Sequence, residues 1–155
     1  MQQTYNQLFK ELPDHSRVWI YSSNRTLNNN ETNFVIQNVN YFTEQKWASH
    51  GEKIFAQGTL INNSILILAV DEVRKAASGC SIDSSVHMIK HLEKELKIDF
   101  FNRFYVFISN GQEIKRVHMN DLSDYKDWEI FDPLISNLGE LRSNWLKPVS
   151  SHPLF

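Results

Sequence analysis

Cysteine occurs once, at Cys80, so the 155-residue chain can form no internal disulfide and no zinc knuckle of paired thiolates. Glycine and proline are scarce, at 5 and 4 residues, which excludes collagen-like and Pro/Gly-rich disordered organisation. The glycines, Gly51, Gly58, Gly79, Gly111 and Gly139, open neither G-x-x-x-x-G-K-[ST] nor G-x-G-x-x-G. A P-loop ATPase is thereby excluded, and a classical dinucleotide fold is not expected. Charge of one sign is also lacking: the formal net charge is -2, so no basic field exists to hold nucleic acid or an acidic membrane. No apolar run approaches the roughly 18 residues that a membrane helix needs. Met1-Gln2-Gln3-Thr4-Tyr5-Asn6 has neither the basic start nor the apolar core of a signal peptide. The expectation is one cytoplasmic domain over residues 1–155, with no nucleic-acid partner and no membrane.

What is present alternates between two periods. Arg17-Val18-Trp19-Ile20-Tyr21 is strand-like in its β-branched and aromatic content. Over 31–48, Val35, Ile36, Val39 and Phe42 recur at helical spacing, with Asn29 or Asn30 available as N-cap. Residues 54–61 and 64–70 flank Asn62 and Asn63, which tolerate a left-handed turn. A second amphipathic helix covers 82–97, with Ile82, Val86, Ile89, Leu92 and Leu96 at core spacing and Glu93 breaking the pattern. A second hairpin joins 103–109 to 112–118 across Asn110 and Gly111. Residues 4–12 suggest a short helix ended by Pro13, and the aromatic-rich tail suggests helical turns over 121–125 and 133–142.

The order β-α-β-β-α-β-β is that of an α+β, ferredoxin-like split βαβ core with one extra edge strand. Right-handed crossovers give a mostly antiparallel five-stranded sheet in the order 5-4-1-3-2. The core covers about 14–118 and places both helices on one face. The other face is too apolar to meet water. Its cover is either the tail, 119–155, with Trp128, Ile130, Phe131, Leu138, Leu141 and Trp145, or a second copy of the chain. Monomer and homodimer both stay open.

Chemistry points to Ala77-Ser78-Gly79-Cys80-Ser81-Ile82-Asp83-Ser84-Ser85, at the entry to the second helix. Small and hydroxylic residues leave backbone N–H groups accessible there, and the helix dipole favours an anion. A thiol in that position should have its pKa lowered. The alternative is ordinary capping, with Ser78 or Ser81 as N-cap and Cys80 as a small packing residue. The topology brings Arg17, His15 and the turn Trp47-Ala48-Ser49-His50-Gly51 to the same end of the sheet. Two site readings follow. The first is a pocket for a small anionic ligand made by Arg17, Ser78, Gly79, Ser81, Asp83 and Ser84. The second is a thiol-dependent enzyme with Cys80 as nucleophile and His50 as base. A third reading makes the apolar sheet face a protein-interaction surface. Asp83, His87 and His91 share a helix face, but Met88 follows His87 directly, so H-E-x-x-H is absent; neither a metal nor a cofactor is assigned.

The strand Arg17-Val18-Trp19-Ile20-Tyr21, the turn Trp47-Ala48-Ser49-His50-Gly51, the stretch Ala69-Val70-Asp71 and above all the Cys80 motif resemble a family of short bacterial proteins. Its members often carry the label "ABC transporter ATPase". This chain has no Walker motif, so the resemblance implies kinship, and weight on the Cys80 loop and the His50 turn, without a mechanism.

Overall fold

The computed structural model describes residues 5–155. In chain order the elements are β1 (Arg17–Ser22), α1 (Asn29–Tyr41), β2 (Ala48–Ser49), β3 (Glu52–Lys53), β4 (Ala56–Ile61), β5 (Ile65–Val70) and α2 (Gly79–Leu96). They are followed by β6 (Tyr105–Ser109), β7 (Ile114–His118), β8 (Glu129–Phe131), α3 (Leu138–Asn144) and β9 (Leu146–Pro148). The protein is α+β, and every pair of named strands is antiparallel.

The single five-stranded sheet is not formed. Strands divide into β1-β5-β4, the small hairpin β2-β3, and β7-β6-β8-β9. The 1-3-2 part of the expected order survives as β1-β5-β4, but β6 pairs with β8 where β1 was expected. The reason lies in the tail. Glu129–Phe131 supplies a short strand that takes the edge of β6, while the outer edge of β1 is met by a bridge from Arg17 to Asn137. Val18 N–H donates to Ser136 O at 3.0 Å beside that bridge. A cavity of about 170 Å³ is lined by Ile20 and Ser22 of β1 and by Tyr105 and Val106 of β6.

All six residues of β5 are buried, as a central strand covered on both faces requires. Its two faces feed two cores. Leu66, Leu68 and Val70 pack with Tyr21, Val35, Val39, Trp47, Ile89 and Leu92 on the side of the long helices. Ile65, Ile67 and Ala69 pack with Val18, Phe131, Leu138, Leu141 and Trp145. The second face is thus closed by the chain's own tail.

Local corrections follow from side-chain demands. Helix α1 ends at Tyr41 and gives way to a wider π turn over Phe42–Lys46, which buries Phe42 and Thr43; the expected continuation to residue 48 is absent. Asn28 is the N-cap, one residue before the candidates Asn29 and Asn30, in a reciprocal capping box with Glu31. Arg25 grips the Glu31 carboxylate with both guanidinium nitrogens, which lowers the Glu31 pKa to about 2. Helix α2 starts at Gly79, three residues before the expected start at Ile82, and its buried face is Ser81, Ser85, Ile89 and Leu92. Ile82 and Val86 are only half-buried, because the Trp47 indole occupies the space against the first turn and small serines are what fit beneath it. Glu93, the odd residue in the stripe, accepts the Phe100 N–H at 2.7 Å, and burial raises its pKa.

Asn62 and Asn63 do form a left-handed turn, with φ of 52° at both. The register pairs Ile61 with Ile65, so Ser64 is an extra, bulged residue. The second hairpin is longer than expected. Ser109 pairs with Ile114, and the Asn110 side chain accepts from the N–H groups of Gln112 and Glu113. Residues 5–12 form turns with Phe9 at φ 54° where a short helix was expected, and Thr4 of that stretch lies outside the described residues.

Gly58 is required by packing. A Cβ there would lie 2.4 Å from Val39 Cγ1 and 2.9 Å from Leu68 Cδ2, between α1 and β5. Gly58→Ala should lower unfolding stability by about 2 kcal/mol through overpacking. A urea melt showing no change in midpoint would contradict that close approach.

Candidate functional site

The C-terminal end of β5, the start of α2, the β2–β3 hairpin and the start of β1 meet at one end of the first sheet. Arg17 stands opposite Val70 in the β1–β5 register, which sets it beside Asp71 and Glu72. Its guanidinium lies 4.5 Å from the Trp19 ring centroid and 3.7 Å from a Glu72 oxygen. The Glu72 carboxylate also accepts the Ala77 N–H at 3.0 Å, tying the loop after β5 to the entry of α2. Asp71, buried at 3% exposure, accepts the Val73 N–H and faces Arg74 at 3.2 Å, with His15 at 3.8 Å.

From the other side, the Trp47 indole N–H donates to Ser81 O at 2.7 Å, anchoring the hairpin to the first turn of α2. Lys75 and Glu52 add a 3.1 Å ion pair between the same hairpin and the loop. Along an extended chain, residues 47 and 49 share a face, so Ser49 follows Trp47 toward α2. The Ser49 hydroxyl is buried and has no hydrogen-bond partner. A buried hydroxyl left alone is costly, about 1–3 kcal/mol when nothing replaces water.

Helix α2 begins on Ser78, whose hydroxyl accepts the Ser81 N–H at 3.1 Å. The capping alternative is therefore realised at Ser78, while Ser81 is buried and its hydroxyl returns to Ser78 O. Capping leaves the N–H groups of Gly79 and Cys80 without an acceptor among the described residues. Gly79 faces open space, and the Cys80 thiol is exposed. Ser84 spends its hydroxyl on Cys80 O at 3.0 Å, and Asp83 is exposed.

His50 sits at the tip of the β2–β3 turn, exposed and left-handed at φ 51°, followed by Gly51 at φ 79°. No hydrogen bond joins it to Cys80 among the described residues. The Trp47 indole reaches the first turn of α2 directly, and Arg17 is tied to the loop before it through Glu72. Asp71, Glu72 and Ser49 escape a sequence reading because each acts through a partner distant along the chain. Only the pair Asp71-Glu72 directly after an apolar strand is a local signal.

Two further features lie away from this end. A cleft of about 570 Å³ runs beside β4, lined by Leu8–Leu12, Asn40, Thr43, Lys53 and Ala56–Thr59 among others, and holds none of the expected site residues. In the tail, Asp132 is buried with Lys147 and His152 as partners. No helix among the described residues is long and apolar enough to cross a membrane. Compared with known proteins, the chain is matched by no family model, by no curated protein and by no solved structure.

Proposed function

We propose that the chain is a binding protein for a small anionic molecule, held by a phosphate or carboxylate group where the start of α2 meets the Trp47–His50 turn. The observation that carries this reading is the pair of backbone N–H groups, of Gly79 and Cys80, that no acceptor among the described residues meets at the positive end of an 18-residue helix whose first turn the Trp47 indole holds. The Ser49 hydroxyl, two residues beyond Trp47, is buried with no partner among the described residues. Arg17, half-exposed on the neighbouring strand, supplies a full charge that Glu72 shares at 3.7 Å. An incoming anion displaces Glu72 from that loose contact. Kinship with the short bacterial family belongs to this reading, since the Cys80 loop and the His50 turn carry the likeness. A cytoplasmic location suits it too, because an exposed single thiol persists in a reducing compartment. Binding stands ahead of thiol catalysis because no base among the described residues is hydrogen-bonded to Cys80.

Titrating inorganic phosphate into the folded chain should shift the amide resonances of Ser49, Gly79 and Cys80 more than any others, and should slow alkylation of Cys80 by iodoacetamide. Ser49→Ala removes a hydroxyl that no group among the described residues uses, so it should not destabilise the fold. It should weaken phosphate binding about tenfold, the worth of one hydrogen bond to a charged group. Shifts scattered over the surface, with an unchanged alkylation rate, would overturn the site.

A further inference from the structure

The phase of the β1–β5 ladder decides what the outer side of β1 presents. Ser23 N–H donates to Ser64 O at 2.8 Å, and the register carries the same phase to Tyr21 with Leu66 and Trp19 with Leu68. In an antiparallel ladder, hydrogen-bonded and non-bonded pairs alternate. The backbone groups of Val18, Ile20 and Ser22 therefore point away from β5, in keeping with the bond from Val18 N–H to Ser136 O. Past Val18 that edge is bare: no strand pairs with Ile20 or Ser22 on it among the described residues. Strand β6 is bare in a similar way. β8 pairs with it at Ile108 and Ser109, which leaves Tyr105 and Val106 without a partner strand on that side.

The cavity of about 170 Å³ that these two strands line is mostly apolar and carries one charge. Ile20, Phe100, Val106, Met119, Leu134 and Leu154 give it an apolar surface, and Arg103, in the turn before β6, is the single charged residue lining it. Arg103 is exposed and has neither an ion pair nor a hydrogen bond among the described residues. Its charge is felt at the cavity wall: burial raises the Tyr21 pKa, and the guanidinium groups of Arg103 and Arg17 pull against that rise. Tyr105 at 41% and Leu134 at 59% exposure leave apolar surface in water where the cavity opens. Behind Ile20, Ser22, Tyr105 and Val106 a further space of about 20 Å³ is bordered by Trp145, whose indole N–H is buried with no acceptor among the described residues. The region between the two sheets is under-filled both in atoms and in hydrogen bonds.

We infer that this cavity binds a small monocarboxylate whose apolar body is about the size of one ring. A cavity of roughly 150 Å³ holds a benzene molecule, so the space matches one ring with its carboxyl group at the mouth. The Arg103 guanidinium, which has no counter-charge of its own, receives the carboxylate as a two-pronged partner. The ring lies against the apolar walls, as ligands do in sites with few polar groups. A phosphate fits worse, because it would lose its water against apolar side chains with one guanidinium in return. The site stands at the end of β1 opposite Arg17 and is independent of the anion site at α2.

Benzoate is the probe, titrated into the full chain and followed by amide resonances. Shifts should centre on Ile20, Ser22, Arg103 and Val106, with a Kd on the order of 1 mM or tighter. Benzamide, similar in shape but uncharged, should bind at least about tenfold more weakly. Arg103→Gln should weaken benzoate by the same factor and leave benzamide as it was. Arg103 has no partner to lose among the described residues, so this variant should fold as the parent does. Leu134→Ser, also at an exposed position, should weaken both probes alike. Inorganic phosphate should not displace benzoate. Equal affinity for benzoate and benzamide, or no shift at these amides at about ten times the expected Kd, would overturn the inference. So would shifts centred on Gly79 and Cys80 or displacement by phosphate, since benzoate would then occupy the site at α2.

Discussion

Asp132→Ala should cost the fold about 3 kcal/mol and lower Tm by roughly 10 °C, because a buried carboxylate with three donors is removed and its partners stay behind. Asp132 is 4% exposed. One oxygen accepts from His152 Nε2 at 2.8 Å and from the Leu134 N–H at 2.9 Å, and the other meets Lys147. His152 in turn accepts the Leu154 N–H on Nδ1 at 3.1 Å, so Nε2 is the nitrogen that carries its proton toward Asp132. Lys147 retains Glu140 at 2.8 Å after the substitution, but the His152 ring, 1% exposed, has no other acceptor among the described residues. The cluster ties β8, α3, β9 and the C-terminal turn together. Asp132→Asn keeps the turn bond to Leu134 and should fall between wild type and alanine.

The same cluster sets a pH dependence. Burial alone would raise the Asp132 pKa; the bonds from Lys147, His152 and the Leu134 N–H outweigh it and hold the pKa below the ordinary aspartate value. A carboxyl whose pKa is lower folded than unfolded contributes stability above the unfolded value, about 3.9, and loses it as pH falls through the folded value. The stability difference between wild type and Asp132→Ala should therefore be full at pH 7 and shrink below about pH 4. Urea melts at pH 7 and pH 3 measure it directly. A difference equal at both would mean that the carboxylate charge contributes nothing and that the loss is one of shape.

How far the sequence discloses this molecule depends on the range over which each feature is encoded. β5 is legible because six consecutive apolar residues between turn signals admit little but a covered strand. The 1-3-2 pairing follows from one hairpin and one crossover. The second sheet is illegible because β8 and β9 have three residues each, too few for alternation to register against an aromatic-rich background. That missing strand is why β6 was expected beside β1. At the candidate site, the helix start and Arg17 are local or nearly so. Ser49 becomes informative only once Trp47 is seen to reach Ser81, 34 residues on. Asp132, Lys147 and His152 have no common motif; the one visible hint is Asp before Pro133, a frequent turn start, and the turn bond to Leu134 is indeed made.

Arg142→Ala should cost about 3 kcal/mol and free the N-terminal segment from the tail-side core. Residues 5–12 have almost no regular backbone pairing of their own, and Arg142 of α3 replaces it. Its guanidinium donates to the carbonyls of Leu8 at 2.9 Å, Phe9 at 2.6 Å and Leu12 at 2.8 Å, and to the Asp14 carboxylate at 2.8 Å. Convergence of this kind needs a planar fork with several fixed donors, so Arg142→Lys should recover less than half of the loss. The segment carries Tyr5 edge-on against Trp145, at 4.8 Å between centroids, so its release exposes an indole that is otherwise fully buried. A red-shifted tryptophan emission, with new protease cleavage before Ser16, is the expected result. Unchanged emission and protease resistance would show that Tyr5 and Leu12 hold the segment by packing alone.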